Sequence, residues 1–105
     1  VDFFASPHTA LSLARIEAHY FAHDTFLKPN QLLADVGRLR DIPGIIVHGR
    51  YDIVCPVANA WELHRGWPGS TLEIVADAGH SAAEPGITAA LVRATDAMRD
   101  RFVKR

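Results

Sequence analysis

Between residues 6 and 22 the apolar side chains Leu11, Leu13, Ile16, Tyr20 and Phe21 go most of the way round a helical cylinder instead of marking one face. The stretch SPHTALSLARIEAHYFA therefore predicts a helix that is largely covered. Ser6 is placed to cap its first turn, and Pro7 stands at the first helical position, where its missing N–H costs nothing. DTFLKPN reads as a loop, and NQLLADVGRLRDI (30–42) predicts a second helix with Leu32, Leu33, Val36 and Leu39 at core spacing. After Pro43 helical spacing gives way to an unbroken, β-branched run. GIIVHG (44–49) predicts a strand buried on both faces, as in a parallel sheet. PVANAWELHRGW (56–67) then predicts a helix stopped by Pro68 and Gly69, and TLEIVA (71–76) a second strand. From about Pro85, Ile87, Leu91, Ala94, Met98 and Phe102 recur every three or four positions, with Arg93, Asp96 and Asp100 outside, as in an amphipathic helix.

Strand, helix, strand, helix is the order of a right-handed parallel crossover unit, which places the chain in the α/β class. The expected division is a helical region over 1–41 and a β-α-β-α portion over 42–105. Two parallel strands are too few to bury both faces of a sheet, so further strands are expected upstream. The chain also starts at Val1 in mid-pattern, which fits part of a longer protein. There are no internal repeats and no low-complexity segments.

Composition narrows the class without changing it. Hydrophobic residues make up 49% of the chain and charged ones 22%, a globular balance. A net charge of -1, with no basic cluster before the terminal RFVKR, gives no sign of a nucleic-acid or anionic membrane partner. A single cysteine cannot form an internal disulfide, and neither a membrane-spanning run nor a signal-peptide pattern occurs, so a cytoplasmic location is the default expectation.

The candidate chemistry lies where the two strands end. In open α/β sheets functional groups gather just beyond the carboxyl ends of the strands. The first strand runs into GRYD, which carries Asp52, and the second into DAGHS, which carries His80. Gly49 and Gly79 are expected to let the backbone turn tightly there. Taken singly, an Asp or a His in a glycine turn commonly bonds local backbone. Together, in this order, on consecutive strand ends, they suit the acid and base of a Ser-His-Asp triad, in the chain order of α/β-hydrolases. No G-x-S-x-G is present: Ser6, Ser12, Ser70 and Ser81 all lack the flanking glycines of a nucleophile elbow. Cys55 as nucleophile is the sharper alternative, since Asp52 and His80 are its neighbours by topology. His19 and His23 lie four apart on a helix, but without an internal Glu or a third ligand they make a poor metal pair. His8, His48 and His64 have no partner legible in sequence. Trp61 and Trp67 suit packing against the sheet or its rim, and Glu84 suits either a helix cap or a solvated position.

With these residues in place, LARIEAHYF, IPGIIVHGRYDIVCPVANAWELHRGWP and AGHSAAEPGITAALVRATDAM closely resemble the C-terminal part of bacterial proline iminopeptidases, the prolyl aminopeptidases of the α/β-hydrolase fold. The likeness runs from about residue 10 to about residue 99. It implies a C-terminal segment of a serine peptidase that removes N-terminal proline from peptides, with no metal or organic cofactor. By this resemblance Asp52 is the triad acid and His80 the triad base. Glu17 is a carboxylate that helps bind the substrate's free imino group, and its helix belongs to a cap over the site. A carboxylate within a covered helix needs a cation, and a protonated pyrrolidine nitrogen is one; a salt bridge to a neighbouring arginine is the plainer alternative. The nucleophilic serine, the oxyanion loop and a second amine-binding glutamate would come from upstream of Val1, so these residues by themselves are expected to be inactive. Two further readings stay open: an esterase-like hydrolase of the same fold, and a truncated, inactive module.

Overall fold

The computed structural model of the chain describes residues 5–103, and their contacts form two compact units, one up to Gln31 and one from Leu32 onward. In the first, helix α1 spans Pro7–Ala22 with Pro7 in its first turn, and the Ser6 hydroxyl accepts a long bond of 3.5 Å from the Thr9 N–H. The all-round apolar pattern predicted a covered helix, and here the expectation fails: no residue of α1 is buried, and Leu11, Ile16 and Phe21 are exposed. A helix that is apolar on every side needs neighbours on every side, and its own unit offers one three-residue turn, Asp24–Phe26. That turn is left-handed. Asp24, Thr25 and Phe26 have φ of 50°, 55° and 59°, a conformation costing L-residues roughly 1–2 kcal/mol each. It places the Phe26 ring 5.0 Å from that of His23, stacked, and 5.4 Å from that of Tyr20, edge-on.

The second unit begins by departing from expectation. The predicted 30–42 helix is a short helix α2, Gln31–Asp35, followed by a 3₁₀ turn, Val36–Leu39. Pro43 explains where helical bonding must stop: it stands four residues after Leu39 and has no N–H to give that carbonyl. The Leu39 carbonyl accepts the Ile42 N–H at 2.9 Å instead, and the indole of Trp67 adds a second donor. Its Nε1–H lies 2.9 Å from the Leu39 carbonyl and 2.8 Å from that of Ile42. Val36 is buried against Gly66, where a Cβ would meet its Cγ1 at 2.7 Å.

Strand β1 (Gly44–Gly49), helix α3 (Val57–Gly66), strand β2 (Ser70–Val75) and helix α4 (Pro85–Phe102) follow in order. The strands pair in parallel from Gly44 opposite Ser70 to Gly49 opposite Val75. Strand β2 thus starts one residue earlier than the apolar pattern indicated. The fold is mixed α/β, with α3 and α4 packed on a two-stranded parallel sheet. Its buried apolar residues are small or medium-sized: Val36, Ala60, Ala78, Ile87 and Ala90. Full burial of β1 is not met, because only its terminal glycines are buried and the residues between are half-covered. A strand with one neighbour keeps an open edge, and the helices lie over only part of its faces. Likewise α4 buries Ile87 and Ala90 near its start, while Leu91 and Phe102 are exposed.

Candidate active site

The loops leaving the two strands are stitched to each other by backbone. The Arg50 N–H donates to the Val75 carbonyl at 3.0 Å and the Tyr51 N–H to the Ala78 carbonyl at 2.9 Å. This crossing is why residue 49 must be glycine. A Cβ there would lie 2.1 Å from the Gly79 carbonyl oxygen and 2.7 Å from that of Ala78. The expected tight turn is there, the Asp52 N–H donating to the Gly49 carbonyl at 3.2 Å, but no glycine among the described residues has a positive φ, and what position 49 requires is close approach of two backbones.

On this crossing Asp52 and His80 meet. Nδ1 of His80 is 3.0 Å from Oδ2 of Asp52 and 3.2 Å from Oδ1. Oδ1 also accepts the N–H groups of Val54 at 3.0 Å and Cys55 at 2.8 Å, so the carboxylate closes the turn that carries it. The Cys55 N–H, above all, holds the Asp52 carboxyl below the usual carboxylate range; burial opposes this, and His80 and His48 add to the lowering. Asp52 is thus an ionised acceptor at neutral pH, which assigns the proton between the two side chains to Nδ1 of His80. The carboxylate side chain is 6% exposed and the imidazole 54%. One member is held inside, and the other is presented.

Two residues not assigned to the site from sequence, His48 and Glu84, complete the surroundings. His48, one position before the end of β1, brings Nε2 to 2.6 Å from the Cys55 carbonyl and 3.5 Å from Oδ2 of Asp52. Glu84 neither caps α4 through its side chain nor stands free: Oε2 accepts the Gly79 N–H at 2.9 Å, bracing the turn that carries His80. A signal for His48 was present, since a lone imidazole ending an aliphatic strand is costly unless it finds a partner. Cys55 is a free, exposed thiol whose own peptide group is taken on both sides, by Asp52 and by His48. A cleft of about 300 Å³ lies here, lined among others by Val47, Asp52, Cys55, His80, Ile87 and Leu91. Ser81 spends its hydroxyl locally, on the Ala83 N–H at 3.2 Å.

No family model matches the chain. Individual proteins do. It is 58% identical over 99 residues to a proline iminopeptidase of Xylella fastidiosa, a match covering 90% of the chain and 32% of that relative. A proline iminopeptidase of Arabidopsis thaliana is 50% identical over 91 residues (86% of the chain, 24% of the relative), and one of Neisseria gonorrhoeae 38% over 97 residues (91% and 31%). By sequence the chain belongs with the proline iminopeptidases. It spans about one third or less of the length of these curated relatives.

Within that family setting the remaining candidates can be placed. Glu17, which the resemblance to proline iminopeptidases marks for amine binding, stands exposed on α1 and forms no ion pair among the described residues. The arginine salt bridge offered as the plainer alternative is not formed among the described residues, which leaves the carboxylate open to solvent. His19 and His23 turn to each other locally, the Nδ1–H of His23 donating to the His19 carbonyl at 2.8 Å. Trp67 packs its ring at Gly44, as expected of a residue beneath the sheet, while Trp61 is exposed.

Proposed function

We propose that this chain carries the acid and the base of a serine aminopeptidase that releases N-terminal proline from peptides. Its β1-α3-β2-α4 unit is then the C-terminal part of an α/β-hydrolase core, and the nucleophilic serine comes from outside these residues. The observation that carries the reading is the Asp52–His80 hydrogen bond, made through Nδ1, on an exposed ring whose Nε2 has no hydrogen-bond partner among the described residues. In the complete enzyme that nitrogen takes the serine proton as the hydroxyl attacks the prolyl carbonyl, then returns it to the leaving amine, and water clears the acyl-enzyme. Asp52 stays ionised, fixes the tautomer and stabilises the imidazolium. Neither step calls for a metal or an organic cofactor. Glu17 pairs with the charged pyrrolidine nitrogen and confines cleavage to free N-termini. A cytoplasmic enzyme is the natural setting, and no helix among the described residues is long and apolar enough to cross a membrane.

The test is hydrolysis of a prolyl arylamide and of a simple aryl ester by the full-length protein containing this segment. Asp52→Asn is expected to lower kcat by the order of 10⁴-fold, the scale set by losing the correct imidazole tautomer, and His80→Ala by at least as much. Glu17→Gln should cost about 10–100-fold in kcat/KM for the arylamide, one charge-assisted hydrogen bond, and leave the ester alone. Preference for the ester in the unmodified enzyme, or full activity in the His80 variant, would reject the proposal.

A further inference from the structure

The turn that carries Asp52 has almost nothing apolar to hold it down. Ile53 is 91% exposed, and Val54 and Cys55 are exposed as well. Its position rests on hydrogen bonds. Asp52 itself supplies two, to the Val54 and Cys55 N–H groups, but these only close the turn on itself. Among the described residues, the side-chain bond that ties the far end of the turn to the sheet comes from His48.

A carbonyl oxygen can only accept, so the Cys55 carbonyl at 2.6 Å requires a proton on Nε2 of His48. The ring is 16% exposed and projects from the next-to-last residue of a paired strand, so it is anchored where the turn is not. The peptide of Cys55 is gripped from both sides, its N–H by Asp52 and its carbonyl by His48. The same Nε2–H stands 3.5 Å from Oδ2 of Asp52, the oxygen nearest His80, where its dipole favours the ionised carboxylate.

We propose that His48 is a positioning residue for the acid–base pair: its Nε2–H clips the Cys55 carbonyl to the end of β1 and so holds the Asp52 carboxylate where His80 can use it. This rests on the reading of Asp52 and His80 as acid and base. Nothing in the reaction passes through His48; it acts through Asp52.

Two variants of the full-length enzyme separate positioning from general destabilisation. His48→Leu removes the donor. His48→Gln keeps an N–H the same number of bonds from the backbone, so it can still reach the Cys55 carbonyl. With active sites counted by a serine-directed fluorophosphonate, His48→Leu should lower kcat on a prolyl arylamide by about tenfold, the scale of one hydrogen bond, at a KM within about twofold. His48→Gln should restore most of that loss. A His48→Leu enzyme with unchanged kcat, or a Gln variant as impaired as the Leu variant, overturns the proposal. Should the Leu variant not fold, long-range ¹H–¹⁵N spectra of the unmodified enzyme decide. The proposal requires Nε2 of His48 to be protonated and coupled to a ring proton at neutral pH; an unprotonated Nε2 rejects it. Retained activity in Asp52→Asn would instead reject the underlying reading of the pair.

Discussion

Replacing Gly49 by alanine tests the most specific geometric feature of the site. The added Cβ would lie 2.1 Å from the Gly79 carbonyl oxygen, 2.7 Å from that of Ala78 and 2.9 Å from the Ala78 carbonyl carbon. Ordinary contact begins near 3.5 Å, so the closest of these is short by the order of 1 Å. All three atoms are backbone, and no rotamer change relieves them. The loops after β1 and β2 must move apart, and the displaced peptide is the one immediately before His80. The Nδ1–Oδ2 distance is 3.0 Å, and a hydrogen bond stretched by about 1 Å is no longer one. Misplacement on this scale costs about 10²-fold in catalysis, and overpacking of this kind destabilises by about 1–3 kcal/mol. In the full-length enzyme Gly49→Ala is therefore expected to lower kcat about 100-fold while leaving a folded protein. The assay is kcat on a prolyl arylamide normalised to titrated active sites, paired with the low-field proton signal of the His80 Nδ1–H, which should weaken or vanish. A variant with normal kcat and an intact signal would show that the loops have slack that the close crossing denies.

Trp67→Phe keeps an aromatic ring but removes the indole N–H shared by the Leu39 and Ile42 carbonyls, so urea unfolding should show a loss of about 1–3 kcal/mol. Glu84→Ala should reduce kcat severalfold by freeing the Gly79 N–H, whereas Glu84→Gln, still an acceptor, should recover it; equal effects from both would mean that charge, not the bond, matters. The folded-state pKa of Asp52 lies below its unfolded value of about 3.9, so its ionised interactions stabilise the fold above that pH and are lost as pH falls through the lowered value. Urea midpoints between pH 6 and pH 2.5 should therefore fall less steeply below about pH 4 in Asp52→Asn than in the unmodified protein.

What the sequence made legible follows from the range of the interactions involved. Strand β1, helix α3 and helix α4 are encoded by local spacing and by Pro56, Pro68 and Pro85, and they fall within a residue or two of expectation. The meeting of Asp52 with His80 was also readable, because one parallel crossover fixes which strand ends share a rim. The 30–42 stretch was misread for a non-local reason: apolar spacing alone favours a continuous helix, but the carbonyls at its end are claimed by Trp67, more than twenty residues later. His48 and Glu84 were missed likewise, since neither imidazole nor carboxylate declares its acceptor or donor until the turns are folded. The covering of α1 was over-read. All-round apolarity states that a helix wants neighbours, not that this chain contains them.

Asp52 and His80, the residues that brace them and the crossing that brings them together all lie within the unit from Leu32 onward. The Asp52 carboxylate already accepts from Val54, Cys55 and His80 before any substrate or nucleophile is considered. On the proposed reading of the pair as acid and base, preorganisation of this kind leaves little to rearrange when a serine reaches Nε2. It also locates the weak point. The imidazole is the exposed member, braced from behind by Asp52 and, through Gly79, by Glu84, but open on the side where Nε2 faces outward. On the proposed reading, proton transfer belongs to this ledge, and selection of the substrate to whatever the complete enzyme places over it.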